Sequence, residues 1–318
     1  MEKTFDCVVC GSCVADVLVR PFSLEAPIGP SITVEVDPIE LATGGIVCNS
    51  GIAMARLGMK VATVGYVGDD HWGAMIRGRL EAEQIDCAGL LTHPTAGTTT
   101  AVVLIDPSGQ RSFAYSTGAT KRMDRAALID QLDVFARSRM MLLGYYSLLP
   151  NLEEDLPEVL AAIRRSGCRT ALDAAAEGGR MQPLDRILPE LDVYVPSHAE
   201  AARQTGHSDP EAILRTYRDC GAPGLLGVKL GAEGALLSPA AGEYVAIDPV
   251  APPGPVVDTT GAGDCFYAGL LAGLLKGMSP EQAGRLAAAG GACCVTAKGA
   301  TAGVRNYEET TRLIQPAN

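Results

Sequence analysis

From Arg125 to Val195 the chain reads as short apolar runs separated by segments of helical length, and this alternation restricts the fold more than any other feature. Apolar residues recur at helical spacing over Arg125 to Arg137 and Leu152 to Arg165. Between and after them, Met140 to Leu143, Thr170 to Leu172 and Val193 to Val195 are strand-like. Strands joined through whole helices pair in parallel and are covered on both faces, so the expected core is a three-layer α/β/α arrangement around a mainly parallel sheet. At 318 residues such a core can be large.

The first third of the chain is patterned differently. Cys7 to Cys10 reads as a buried strand ending at Gly11, and Val14 to Val19 as a second extended piece carrying one acid, Asp16. Ile32 to Val36 alternates apolar with polar, and Thr99 to Ile105 and Arg111 to Tyr115 flank the turn Asp106-Pro107-Ser108-Gly109-Gln110, a hairpin by its chemistry. These pieces predict a small sheet outside the main one, with strands within residues 12–40 and 98–117. Thr43-Gly44-Gly45 opens a helix in which Ile52, Ala55 and Leu57 fall on one face, and Asp69 and Asp70 stand where a cap of the next helix is needed.

Charge and cysteine content narrow the function. The net charge is −11 with no basic run, so nucleic acid and anionic membrane are poor partners. Ten cysteines in a chain this long are no disulfide scaffold, and Cys7-x-x-Cys10-x-x-Cys13 lacks the fourth ligand of an iron–sulfur run, since Val17 stands there. The apolar run after Asp6 is too short for a signal-peptide core and no stretch approaches a membrane span, which predicts a cytoplasmic protein.

Val256 to Leu275 carries the chemistry. Val256-Val257 leads into Asp258-Thr-Thr-Gly-Ala-Gly-Asp264, after which Phe266, Leu270, Leu271, Leu274 and Leu275 mark a helix. Gly261 and Gly263 let the backbone approach a ligand, leaving the first amides of the helix, from Ala262 onward, free to hold an anion. An acid beside such a cradle is repelled by the anion unless it has a task there, and accepting a proton from an attacking hydroxyl is one. The bland reading of Asp264 is a first-turn acid.

The longer pattern resembles the C-terminal signature of the PfkB (ribokinase-like) family of carbohydrate and nucleoside kinases. Gly44-Gly45, Asn49 and Ala55-Arg56-Leu57-Gly58 are similar to its N-terminal signature, Gly65 to Asp70 to a common loop, and Pro196 to Glu200 to its Asn-x-x-Glu motif with Ser197 in place of Asn. The resemblance implies a ribokinase-like fold with a small β-sheet lid in one domain over residues 1–318. It further implies Asp264 as catalytic base, Gly261, Ala262 and Gly263 as anion hole, and Asp16, Gly44, Gly45 and Asn49 on the acceptor. Lys229, Gly231 and Gly234 would hold ATP, and Glu200 would order Mg²⁺ through water. Asp258, Thr260 and Gly299, in the Lys298-Gly299-Ala300 loop, would form a K⁺ site.

The expected activity is ATP-dependent phosphorylation of a sugar hydroxyl by a homodimer paired through the lid. A nucleoside is the alternative acceptor, for which Tyr145 or Tyr146 could stack on a base if not simply core residues. A non-catalytic nucleotide or sugar sensor is the alternative from another class. Gly144-Tyr145-Tyr146-Ser147 has no acid where ribokinases use one toward the sugar, which puts ribose in doubt. No Gly-Lys pair occurs, which excludes a P-loop, and Cys10 to Ala15 has one glycine where a dinucleotide fingerprint needs three.

Overall fold

Central strands buried on both faces must be mainly apolar, and the observed sheet places them so, with Thr63, Ser138 and Thr170 buried as hydrogen-bonded exceptions. The computed structural model describes residues 2–25, 29–30, 33–175 and 178–315. Among them are strands β1 (Phe5–Gly11), β2 (Val14–Val19), β3 (Glu40–Gly44), β4 (Val61–Val67), β5 (Asp86–Thr92), β6 (Thr100–Ile105), β7 (Arg111–Ser116), β8 (Ser138–Gly144), β9 (Arg169–Leu172), β10 (Val193–Tyr194), β11 (Leu225–Lys229), β12 (Ala235–Ser238) and β13 (Val245–Ile247). Nine form one sheet in the order β13-β12-β11-β10-β9-β8-β1-β4-β5, parallel from β11 to β5, with β12 and β13 antiparallel at one edge. Cys7 and Val9 enter one apolar cluster while Val8 and Cys10 enter the other.

Helices Gly45–Arg56, His71–Ala82, Ala262–Leu275 and Pro280–Cys294 cover the first face, and Leu156–Arg165, His198–Thr205 and Pro210–Asp219 the second. Leu156–Arg165 shows why these segments dock. Its buried residues Leu156, Val159, Leu160 and Ile163 make one stripe, each contributing about 1.5–3 kcal/mol on burial.

The remaining strands form a separate sheet, β3-β2-β6-β7. Ile32 lies outside the described residues and 33–36 is not strand, so the expected strand there is replaced by β3, eight residues past Ile32 at its start. The reason is local. β3 pairs with β2 and runs straight into the Gly44-Gly45 turn, so Val14 can face Gly44 and the helix start is held against the smaller sheet. The expected boundary at residue 40 therefore extends to Gly44, while β6 and β7 fall inside 98–117.

Other elements differ in extent. The expected helix over Arg125 to Arg137 is two, Arg125–Ile129 and Leu132–Ala136, because Gln131 leaves helical φ/ψ between them. The next helix begins at Leu156 rather than Leu152, since Pro157 has no N–H and belongs in a first turn. The alanine-rich helix Pro280–Cys294 begins where Ser279 and Gln282 close a capping box. β5 went unread because Gly89 and a register shift against β4 interrupt its alternation.

The strand order reverses between β1 and β8, the place where open α/β sheets bind ligands beyond the strand carboxyl ends. Tyr145, Asp173 and Ser197 lie just past β8, β9 and β10, and Lys229 ends β11.

Candidate active site

Two glycine-led helices meet at the centre of the site. Gly261 caps Ala262–Leu275 with φ +77°, a left-handed conformation that L side chains rarely adopt, and a Cβ there would lie 2.5 Å from that of Ala300. Asp264 in the first turn is 6% exposed. Its Oδ2 accepts hydrogen bonds from Asn49 Nδ2 and from the Tyr145 hydroxyl, each at 2.8 Å, and its backbone carbonyl accepts from Ser50 Oγ at 3.0 Å. Asn49 and Ser50 belong to Gly45–Arg56, so residues read 215 positions apart are in contact. Burial pushes the Asp264 carboxyl upward against the bonds from Asn49 and Tyr145 and the charge of Lys229, which lower it. Asn49 Oδ1 is buried without a partner, an acceptor waiting for a donor.

Next to Asp264 stands an ion pair with no counterpart in the sequence reading. Lys229 Nζ donates to Asp173 Oδ1 at 3.0 Å and lies 5.3 Å from the centre of the Tyr267 ring. Burial pushes the Asp173 carboxyl up to about 7, with Glu200 and Asp264 adding to the rise and Lys229 opposing it. Burial works against the Lys229 charge as well, but Asp173, Glu200 and Asp264 outweigh it and hold the ammonium above its ordinary range. Three carboxylates thus act on one ammonium, with Asp173 in direct contact. Glu200 closes a capping box with Ser197: its Oε2 accepts from Ser197 N at 2.7 Å, and Ser197 Oγ accepts from Glu200 N at 3.4 Å. Serine keeps the cap that Asn would make.

Lys229, Gly231 and Gly234 line one cavity of about 670 Å³ together with Ala262, Gly263 and Phe266. The expected nucleotide residues and the helix-start amides therefore share a pocket. A Cβ on Gly263 would lie 3.5 Å from Lys229 Nζ, so the ammonium stands directly over the helix start.

Asp16 approaches from the smaller sheet. A Cβ on Gly44 would overlap Asp16 Oδ2, so the carboxylate lies against the turn that begins Gly45–Arg56. Burial raises the Asp16 carboxyl to about 6, partly offset by Arg111. Asp16 meets Gly44 and Asn49 meets Asp264. Arg111, the first residue of β7 and another residue the sequence reading missed, pairs with Asp258 Oδ1. Asp258 also accepts from the amides of Thr260 and Gly299, each at 2.8 Å, so the three residues of the expected K⁺ site share one loop junction. Burial raises the Asp258 carboxyl, but Arg111 and the two amides together hold it below the usual range.

The remaining expectations resolve simply. Asp70, not Asp69, caps His71–Ala82, accepting from Gly73 N at 2.8 Å. Tyr146 is fully buried and donates to the carbonyl of Gly178, a core role, while Tyr145 is spent on Asp264. The ten cysteines are free, and among the described residues no group of three or more His, Cys, Asp or Glu could hold a metal. No helix among them is long and apolar enough to cross a membrane.

Residues 4–306 match the model of the pfkB family carbohydrate kinases, and the chain belongs to that family. It is 28% identical to a ribokinase of Haemophilus influenzae over 326 residues, covering the whole of both chains. It is 31% identical to a fructokinase of Klebsiella pneumoniae over 85% of this chain and 91% of the relative. The structure of Arabidopsis thaliana ribokinase complexed with ribose and ATP superposes with a TM-score of 0.86 at 26% identity, covering all of both chains. The fold is therefore ribokinase-like, and the protein is a carbohydrate kinase, a phosphotransferase.

Proposed function

We propose that the chain transfers the γ-phosphoryl group of ATP to a hydroxyl of a small sugar, with Asp264 as the base. The observation that carries this reading is the position of Asp264, buried in the first turn of a helix whose opening residues Ala262 and Gly263 line the same cavity as Lys229. The acceptor lies against Asp16, Gly44, Gly45 and Asn49, whose buried Oδ1 takes a sugar hydroxyl as donor. Both donors to Asp264 go to Oδ2, so Oδ1 is the oxygen left to receive the proton as the new P–O bond forms and the bond to ADP breaks. Amides of Gly263 and Asp264 stabilise the charge on the transferred group, the contribution that dominates such reactions, while the expected third donor, the Ala262 amide, donates to the Thr259 carbonyl at 3.3 Å.

Asp173, Glu200 and Asp264 outnumber Lys229, and that excess negative charge suits Mg²⁺ arriving with ATP, held through water near Glu200. Bound there, Mg²⁺ supplies charge neutralisation across the phosphates. Potassium is proposed at Asp258, Thr260 and Gly299; equal rates in potassium and in a large organic cation would remove it.

Tyr146 is fully buried and the Tyr145 hydroxyl is held by Asp264, so the tyrosine pair gives no positive signal for a nucleoside. We place the protein in the cytoplasm, where ATP and reduced thiols coexist. A panel of sugars and nucleosides scored by ADP release tests the reading. A sugar alone giving rapid, stoichiometric ADP is expected, and a preference for nucleosides would overturn the choice of acceptor.

A further inference from the structure

Tyr145 is one of two residues other than glycine with positive φ among the described residues, at φ +61° and ψ +39°. A tyrosine in the left-handed region is strained, and strain of this kind persists where the surroundings force it and gathers at functional sites. Here the backbone is pinned directly past β8, with the Tyr145 amide donating to the Asp173 carbonyl at 3.0 Å and the Tyr145 carbonyl accepting from Leu148 at 2.9 Å. The side chain is pinned at its far end by the 2.8 Å bond to Asp264 Oδ2.

Resting on the reading of Asp264 as base, the geometry points to Tyr145 as a positioning residue that sets which oxygen of Asp264 reacts and keeps it ionised. Two donors on Oδ2, from helix Gly45–Arg56 and from the end of β8, fix the rotation of the carboxylate and turn Oδ1 toward the acceptor. A hydroxyl donated to a carboxylate also favours its charged form, which matters because the environment is divided. Burial and Glu200 favour the protonated acid, as does Asp173, which is electrostatically coupled to Asp264. Lys229, Asn49 and Tyr145 favour the anion. A buried aspartate lacking one donor would stay protonated to a higher pH, and a protonated carboxyl could not accept the acceptor proton.

Tyr145→Phe removes one oxygen and keeps the ring, its packing and the strained backbone. We expect kcat at pH 7 to fall about tenfold or more, the size of a lost hydrogen bond to a charged group. Losing a donor raises the pKa of the base, so the acid limb of kcat should move upward by about one pH unit, with KM for ATP and melting temperature unchanged. A wild-type rate and limb would overturn the proposal, as would a loss of rate that follows a fall in melting temperature while the limb stays in place. Asp264→Asn, measured in parallel, separates the two levels. If it is inactive while Tyr145→Phe behaves as wild type, the positioning role alone fails; if it turns over normally, the base assignment fails and the role of Tyr145 with it.

Discussion

An ionised carboxylate in an apolar strand lowers stability, a cost that Asp16 carries and that the proposed acceptor contact would explain. Its folded-state pKa of about 6 stands above the ordinary 3.8, so the folded chain holds this proton more tightly than the unfolded chain. Stability from the group is full below about pH 4 and is lost as pH rises through about 6. Asp16→Asn should therefore raise the melting temperature at pH 8 and leave it nearly unchanged at pH 4. Catalysis runs the other way: below about pH 6 the wild-type carboxyl is protonated and KM for the acceptor should rise. Asp16→Ala should weaken acceptor use by about tenfold to hundredfold while acceptor-free ATPase keeps its rate. If both activities change together, Asp16 only holds its strand. Asp16 was legible in the sequence as a lone acid in an apolar strand and Asp264 as an acid beside a glycine cradle, while Asn49 came from the resemblance of its motif. Asp173 and Arg111 were not legible, because an Asp past a strand and an Arg in a hairpin are ordinary in solvent. Only the fold shows the first buried against Lys229 and the second reaching Asp258.

At the scale of elements, the pair between Arg111 and Asp258 joins the β6–β7 hairpin directly to the loop that begins Ala262–Leu275. The two side chains are 24% and 10% exposed, so the pair is partly shielded from solvent. Arg111→Gln should speed amide exchange in β6 and β7 several-fold while exchange in β1 and β8 stays slow, because only the local opening loses a contact. Uniformly faster exchange across both sheets would mean that the pair supports global stability instead. Strand and helix identities on the main sheet were readable from continuous apolar runs. β3 and β5 were not, since register against a neighbour, rather than local pattern, defines them.

For the whole molecule, Leu41 and Val102 flank Val17 on one face of the smaller sheet and are 57% and 37% exposed, which favours pairing with a second copy. Light scattering at micromolar concentration should give a dimer mass, and Leu41→Glu should give a monomer. A wild-type monomer would leave that face without its proposed partner. The larger claim is that the fold assembles a phosphoryl-transfer site from the ends of β8, β9 and β11 and the starts of two helices, centred on Asp264. Single-turnover transfer from ATP by Asp264→Asn, with ATP affinity measured on the same preparation, tests it most directly. Transfer slowed by about 10²–10⁴-fold with ATP affinity preserved is the expected result; transfer at a near-normal rate would contradict it.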